Sequence, residues 1–324
     1  SLNIYPFGVS EKVMKRLKEL DKTKIYHYYS ENKKLIKLIA DYVKVNPENI
    51  LIGDGCDGCL EMIAKSFISK NDKILIPTFH RYEFHTKLMG GKCIFVPMKN
   101  FLFDADLILK EAEKNNAKII FLCNPNNPTG IEIDKKEKIK LIENFSGLVV
   151  VDEALADITT INGSNLIKEN NNLIVVRSFS KSFGLASLRI GYIVTNPNII
   201  NTIRKVSSPF KVNGIAQELA IEALQDKEHI KKSIEYLNEE REYLIEELES
   251  TGLPCTKSTT TNFLVNIEKI GTVKETIEKL QKNGVMVTNA SFFKIKEEKY
   301  IRIAVSSSEE NRFFIKTIKE LLNS

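Results

Sequence analysis

The chain has 324 residues, 43% hydrophobic and 27% charged, a composition that is typical of globular proteins and excludes disorder, collagen-like repeats and coiled coil. The formal net charge of +5 comes from 47 basic and 42 acidic residues without a basic-aromatic cluster, so no nucleic-acid partner is expected. No apolar run reaches the ~20 residues that cross a bilayer, and five cysteines do not make a disulfide framework. We therefore expect no membrane association and a cytoplasmic location.

From residue 50 to about 194, short β-rich apolar runs alternate with helical stretches. The predicted strands are Ile50–Ile52, Lys73–Ile76, Cys93–Val96, Lys118–Cys123, Leu148–Val151, Leu173–Val176 and Ile190–Val194. The helices predicted between them include Leu60–Ser69, Tyr82–Met89, Ala105–Asn115 and Lys135–Asn144. Strands that are apolar on both faces and separated by helices predict an α/β domain, with a mostly parallel sheet and helices on both faces.

After about residue 214 the pattern changes to that of a smaller α+β domain. Two long helices are predicted first, and strands and helices then alternate over Asn262–Ile267, Val273–Asn283, Val285–Val287, Tyr300–Val305 and Glu309–Leu322. The helix predicted at 11–20 lies outside the alternating block. We expect a large domain over 22–213 and a small domain made from 1–21 and 226–324, with helices around 214–250 linking them.

Polar residues follow the predicted strands, at the carboxyl ends where open α/β sheets bind ligands. GDGCDG follows the first strand, Pro77-Thr78-Phe79 the second, NPNNPTG the fourth, Asp152 the fifth and RSFSKSFG the sixth. One edge of the sheet therefore collects a glycine-rich turn, an aromatic ring, an asparagine, an aspartate and a lysine among serines.

The glycine-rich turn has three interpretations. GDGCDG matches the spacing of the dinucleotide fingerprint, but the acidic residue expected at the end of the next strand is missing. Cys56 and Cys59 match a redox dithiol at a helix start, without the second pair that a zinc site needs. The favoured interpretation is a cradle in which N–H groups at a helix N-terminus hold one phosphate.

A phosphorylated aromatic cofactor fits the remaining residues. Pyridoxal 5′-phosphate needs a lysine for its aldehyde, a carboxylate for its ring nitrogen, donors and a cation for its phosphate, and a stacking partner. The candidates for these roles are Lys181, Asp152, the group Ser178, Ser180 and Arg189, and Phe79. Their convergence on one sheet edge, rather than any single residue, predicts a pyridoxal phosphate site and no metal.

The motifs NPNNPTG, VVVDEA and SFSKSFGLASLRIGY resemble the fold-type I, class I/II aminotransferases, particularly the histidinol-phosphate aminotransferase branch. SLNIYPFG and YIRIAVSS extend the resemblance over nearly the whole chain. It implies a homodimeric transaminase of the EC 2.6.1 type, which moves the amino group of an L-amino acid or a histidinol-phosphate-like amine to a 2-oxo acid. The alternatives are a threonine-phosphate decarboxylase-like enzyme and, without catalysis, a module that senses amino acids.

The resemblance also implies a role for individual positions. Lys181 would be the Schiff-base lysine and proton carrier, Asp152 the pyridinium partner, and Asn127 the partner of the ring oxygen. Phe79 would stack on the ring. The phosphate would be held by the backbone N–H groups of Cys56 and Asp57, by Ser178, Ser180 and Arg189, and by Tyr28 of the other subunit.

On the substrate side, the resemblance implies that Arg302 pairs with the α-carboxylate, assisted by Asn127, while the backbone of Gly8 lies close by. Two positions depart from the family. Leu155 replaces a tyrosine that donates to the ring oxygen, which is expected to raise the pKa of the lysine imine. Thr288 replaces an arginine and cannot supply charge-assisted bonds to a substrate phosphate.

From Thr288 we hypothesise that the substrate is not phosphorylated, although Lys294 or Lys296 could substitute as point charges. The four histidines have no metal-ligand spacing, and His80 and His85 are expected on a helix surface.

Overall fold

The computed structural model describes residues 6–77, 79–156 and 163–323. Its larger sheet has seven strands in the order β1-β7-β6-β5-β4-β2-β3. They are β1 Ile50–Gly53, β2 Lys73–Ile76, β3 Lys92–Phe95, β4 Ile119–Cys123, β5 Leu148–Asp152, β6 Leu173–Ser178 and β7 Gly191–Thr195. Strand β7 runs antiparallel to β1 and β6, and the other pairs are parallel. The predicted mostly parallel sheet is confirmed.

Twelve helices surround the two sheets in the described ranges. They are α1 Glu11–Lys18, α2 Thr23–Tyr26, α3 Lys33–Val43, α4 Gly55–Phe67, α5 His80–Leu88, α6 Ala105–Asn115, α7 Lys135–Asn144, α8 Pro197–Arg204, α9 Gly214–Gln225, α10 Lys227–Ser250, α11 Val273–Lys282 and α12 Ser308–Leu322. None of these helices combines the length and apolar character needed to cross a membrane.

Both faces of the larger sheet are covered, because successive side chains of a strand point to opposite faces. In β5, Val149 and Val151 join a core with Leu141 of α7, while Val150 joins a second core with Ile63 of α4. The helices α3, α6, α7 and α9 pack on the first face, and α4, α5 and α8 pack on the second. This layering buries β5 from Val149 to Asp152 and leaves the carboxyl ends of the strands as the place for a ligand.

The smaller sheet has three antiparallel strands, β8 Asn262–Asn266, β9 Thr288–Asn289 and β10 Tyr300–Ala304, in the order β8-β10-β9. It shares a hydrophobic core with α10, α11 and α12. The strand predicted at Val285–Val287 is wrong. The residues that pair with β10 are Thr288 and Asn289, opposite Arg302 and Ile301.

A short seam joins the two sheets, formed by the loop residues 126–130 and residues 256–262. The Thr256 hydroxyl donates to the carbonyl of Thr129 at 2.6 Å, and the Asn262 amide donates to that of Pro128 at 2.8 Å. The N–H of Thr259 donates to Gly130 O at 3.0 Å. This seam sets Asn127, after β4, beside the strand that carries Arg302.

Candidate active site

A cavity of about 380 Å³ lies at the carboxyl ends of β4 and β5, between the two sheets. Five residues predicted from the sequence line it: Phe79, Asn127, Asp152, Lys181 and Arg302. Its lining also contains Leu155 and Thr288, the two positions that depart from the family, and the residues His80, Phe292 and Phe293.

Asp152 is the last residue of β5, and only 4% of it is exposed. Burial raises the pKa of its carboxyl to about 6, because removing the carboxylate from water disfavours the charge. Two donors oppose this shift: the N–H of Ala154 and the hydroxyl of Tyr82, each 3.0 Å from a different carboxylate oxygen. The carboxylate therefore has a partner on both oxygens and remains largely ionised at neutral pH.

Lys181 lies in the loop after β6 and lines the same cavity as Asp152. Burial lowers the pKa of its amine to about 8, and the positive charge of Arg302 lowers it further. The loop turns at Gly184, whose N–H donates to Lys181 O at 2.9 Å. At Gly184 a Cβ would come within 2.6 Å of Gly8 O, so the N-terminal segment packs directly on this loop.

Arg302 projects from β10 toward the loop after β4. Its guanidinium donates to Asn127 Oδ1 at 3.3 Å and to the Thr288 hydroxyl at 3.4 Å, and it lies 5.0 Å from the ring centre of Phe293. Burial lowers the pKa of this guanidinium to about 10, so it stays charged at neutral pH. The arrangement offers an anchored cation at one end of the cavity.

The glycine-rich turn leads directly into α4, which begins at Gly55, five residues before the helix predicted from the sequence. The N–H groups of Cys56 and Asp57 therefore belong to its first turn, where N–H groups point out of the helix end. A Cβ at Gly55 would lie 2.7 Å from the Arg189 guanidinium, and one at Gly191 would lie 2.9 Å from Cys56 N. A side chain at Gly55 or Gly191 would therefore collide with the atoms that form this turn.

The serines of the loop lie at the same place. Ser178 pairs with Gly191 in the sheet register, and its hydroxyl accepts the N–H of Ser180 at 3.0 Å. Ser178 and Ser180 are both buried. Hydroxyl, backbone N–H and guanidinium groups therefore meet at the start of α4, which is a donor set for an anion.

The Asp57 side chain is paired with two residues of α5. Arg81 Nε donates to it at 2.7 Å, a second Arg81 nitrogen bonds its other oxygen, and His85 Nε2 lies 3.0 Å from Oδ1. Although burial opposes the charge, His85 and Arg81 hold the pKa of Asp57 well below its usual range. His85 is only 2% exposed, so its expected position on a helix surface is wrong.

Phe79 has a φ of 68° and precedes α5. Its ring lies 5.3 Å from that of Tyr82 and borders the cavity. Tyr28 is different: it is 86% exposed, lies 5.0 Å from the ring of Phe210, and does not belong to the described lining of the cavity.

Comparison with known proteins agrees with this geometry. In structure, the chain is similar to the histidinol-phosphate aminotransferase of Sinorhizobium meliloti in complex with pyridoxal 5′-phosphate, with a TM-score of 0.90, 21% identity and coverage of 100% of this chain and 90% of that one. It is also similar to the L-threonine-O-3-phosphate decarboxylase of Porphyromonas gingivalis, with a TM-score of 0.85, 28% identity and coverage of 100% and 99%. The fold is therefore that of the fold-type I pyridoxal phosphate enzymes.

In sequence, residues 1–318 match the family model of aminotransferase class I and II. The chain is 37% identical over 327 residues to the histidinol-phosphate aminotransferase of Thermoanaerobacter sp. (strain X514), covering 99% of this chain and 92% of that protein. The chain belongs to the class I and II aminotransferases. It is a pyridoxal-phosphate-dependent transaminase, and its sequence relatives favour amino-group transfer over decarboxylation.

The residues present fit that cofactor. The cradle at Gly55 excludes side chains where a phosphate would lie, and Asp152 is an acid that stays ionised although it is buried. The sequence does not predict the contact of Tyr82 with Asp152, or those of Arg81 and His85 with Asp57. Their only sequence signal is that all three follow Phe79 on one helix.

Replacing Arg302 by Met removes a cation that disfavours the protonated Lys181 amine, so the pKa of Lys181 should rise above about 8. Below that pKa the amine is protonated and does not react, so labelling by an amine reagent should need a higher pH than in the wild type. Peptide mass spectrometry of the cofactor-free protein measures this midpoint.

Thr288→Val is the matched control, because it alters the same hydrogen-bonded group without changing charge. Its midpoint should stay at the wild-type value. An unchanged midpoint in Arg302→Met would show that the charge of Arg302 does not act on Lys181.

Proposed function

We propose that the amino donor of this transaminase carries an uncharged, aromatic side chain and no phosphate. The observation that carries this proposal is the neutral residue Thr288 beside Arg302, in a cavity that aromatic rings also line. The ring of His80 lies 4.5 Å from that of Phe292 and 6.0 Å from that of Phe293. Flat apolar walls of this kind favour a ring and offer no charged donor of their own to a phosphate dianion.

The charges near this wall support the same proposal. Burial, followed by the cation of Arg81, lowers the pKa of His80, so its imidazole is neutral at physiological pH. Lys294 Nζ lies 3.2 Å from one carboxylate oxygen of Glu83, whose other oxygen binds Lys87 at 2.6 Å. Lys296 is exposed to solvent. Neither lysine belongs to the described lining of the cavity, so neither places a cation beside Thr288.

For the chemistry we propose that Lys181 carries the cofactor and transfers the donor's Cα proton. A pKa of about 8 leaves a useful fraction of its amine neutral, which a proton acceptor requires. Bound pyridoxal phosphate supplies an electron sink for the donor's Cα. Asp152 would hold the proton on the ring nitrogen, the Asn127 amide would donate to the ring oxygen, and Phe79 would stack on the ring.

We propose further that the donor's α-carboxylate pairs with Arg302. Its guanidinium is held by Asn127 and Thr288, so it is oriented before the donor arrives. Gly8, which packs on the Lys181 loop, would border the donor with its backbone. Leu155 lines the cavity without a hydroxyl, which supports the expected rise in the pKa of the lysine imine.

The cofactor's phosphate would be held by the N–H groups of Cys56 and Asp57, together with Ser178, Ser180 and Arg189. Tyr28 would reach it from a second subunit. Exposed apolar side chains around Tyr28 support a homodimer, since such patches mark protein interfaces. They include Ile25 at 75%, Tyr26 at 62% and Phe210 at 53% exposure.

We also propose that the chain has two domains and lies in the cytoplasm. The large domain would span 22–213 and the small one 1–21 and 226–324. The separate hydrophobic core around β8 and β10 supports the C-terminal part of the small domain, whereas Val13 of α1 belongs to a core of the larger sheet. The five cysteines are free thiols, two of them buried, which supports a reducing cytoplasm.

A second candidate donor is histidinol phosphate, the substrate named for the relative that is 37% identical to this chain. The two candidates differ in whether a phosphate on the donor is recognised. Turnover of L-phenylalanine, L-tyrosine, histidinol and histidinol phosphate with 2-oxoglutarate separates them. We expect kcat/KM to be highest for the aromatic amino acids and similar for histidinol with and without its phosphate.

The Thr288→Arg variant should acquire a preference for the phosphate. A charge-assisted hydrogen bond contributes about 1.5–3 kcal/mol, so kcat/KM for histidinol phosphate relative to histidinol should rise about 10- to 100-fold. Thr288→Gln, which adds length without charge, is the control and should leave the ratio near that of the wild type. A wild-type enzyme that already prefers the phosphate more than about 10-fold would favour the second candidate.

The cradle can be tested with two glycines that share a φ of +79°, Gly55 and Gly284. Alanine at either position strains the backbone by about 1–2 kcal/mol. Only at Gly55 would the new Cβ meet Arg189, whereas at Gly284 it would meet no described atom within 4 Å. Gly55→Ala should therefore weaken pyridoxal phosphate binding about 10-fold or more, measured by fluorescence titration of the cofactor-free protein.

The Gly284→Ala variant should bind the cofactor with wild-type affinity and lose only thermal stability. Equal cofactor affinity in both variants would mean that Arg189 and the start of α4 do not hold the phosphate.

A further inference from the structure

The phenol of Tyr82 contacts the carboxylate on which the cofactor's ring nitrogen would depend. Tyr82, on α5, is 1% exposed, and its hydroxyl donates to Asp152 Oδ2 at 3.0 Å. The two residues are 70 positions apart and belong to different layers of the fold, α5 and β5. The bond is therefore a tertiary contact, and the phenol also interacts with the Cys123 thiol.

The ring of Tyr82 is held in place on two sides. It stacks on Phe121 of β4 with ring centres 5.0 Å apart and an angle of 9° between the planes. The ring of Phe79 meets it edge-on at 5.3 Å. A ring packed in this way cannot turn its hydroxyl elsewhere, so the direction of the hydrogen bond is set by the apolar core.

The charges around Asp152 make a donor necessary. Burial raises the pKa of this carboxyl, and the negative charges of Asp57 and Glu153 raise it further. Tyr82 and the N–H of Ala154 act in the opposite direction. Burial also places the pKa of Tyr82 well above its usual value, so the phenol keeps its proton and remains a donor.

A thiol lies beside the same pair. Cys123 is opposite Asp152 in the sheet register, and burial raises the pKa of the Cys123 thiol to about 12. This thiol therefore stays neutral and adds no negative charge beside Asp152. The charges that oppose ionisation of Asp152 are those of Asp57 and Glu153, and the donors on its two oxygens favour ionisation.

We propose that Tyr82 is a positioning residue, which orients the Asp152 carboxylate and keeps it ionised so that it can hold the proton on the cofactor's ring nitrogen. The proposal rests on the role proposed above for Asp152 and extends it to a residue that does not line the cavity. Tyr82 acts through Asp152 and not on the cofactor directly.

The experiment compares two cofactors in the Tyr82→Phe variant, which retains the stacked ring and removes only the hydroxyl. Pyridoxal 5′-phosphate has the ring nitrogen, whereas 1-deazapyridoxal 5′-phosphate has a C–H in its place. If Tyr82 acts through Asp152, the variant should bind pyridoxal phosphate about 10-fold more weakly and bind the deaza analogue as the wild type does. A merely structural role would weaken both cofactors equally, and that result would overturn the proposal.

Two further variants complete the design. Tyr192→Phe removes another fully buried phenol, on β7, and should leave both affinities unchanged. Asp152→Asn should lose the discrimination between the two cofactors. If Asp152→Asn still discriminates between the two cofactors as the wild type does, the role proposed for Asp152 fails. If Asp152→Asn loses the discrimination but Tyr82→Phe keeps it, only the role of Tyr82 fails.

A second measurement does not need the cofactor. Carbon-13 NMR of labelled aspartate in the cofactor-free protein follows the titration of Asp152, whose pKa is about 6 in the wild type. Loss of a donor to the carboxylate should move this pKa upward in Tyr82→Phe and leave it in place in Tyr192→Phe. An unchanged pKa in Tyr82→Phe would contradict the proposal.

Discussion

Tyr82 and the amide of Ala154 give the buried carboxylate of Asp152 one hydrogen bond on each oxygen. Without them a carboxyl in these surroundings would take up a proton instead of staying charged. Burial at the same cavity has the opposite effect on Lys181 and Arg302, whose pKa values fall to about 8 and about 10. One environment therefore moves the acid and the amine toward neutrality from opposite sides, a pattern that is typical of sites for proton transfer.

Helix α5 connects two parts of this site. Arg81 and His85 lie on neighbouring turns and bind Asp57 at the start of α4, while Tyr82 between them binds Asp152 at the end of β5. The spacing of 81, 82 and 85 keeps the three side chains on adjoining faces of the helix. The anion cradle and the buried acid are consequently held by one rigid element, and a shift of α5 would disturb both.

The sequence predicts the layers of the fold well, because strands that are apolar on both faces leave few alternatives. It also predicts Lys181, Asp152 and Asn127 together, since parallel strands deliver their carboxyl ends to one edge. It does not predict Tyr82 or His85, because their partners lie 70 and 28 residues away and a short helical pattern does not reveal which face is buried. The strand placed at Val285–Val287 failed for a similar reason: β9 is defined by its pairing with β10 and not by its own composition.

The seam between residues 126–130 and 256–262 has a consequence for how the enzyme accommodates its donors. Asn127 follows a strand of the larger sheet and Arg302 lies on the smaller sheet, yet three hydrogen bonds join the loop after β4 to residues 256–262, which lead into β8, the neighbour of β10. The α-carboxylate of a donor would thus meet two side chains, Asn127 and Arg302, whose relative position is fixed. Phe292, on the short turn Ala290–Phe293, is 58% exposed and takes no part in those three hydrogen bonds. In the proposed mode of binding, the donor's carboxylate would meet fixed residues, while its side chain would lie against the more exposed ring of Phe292.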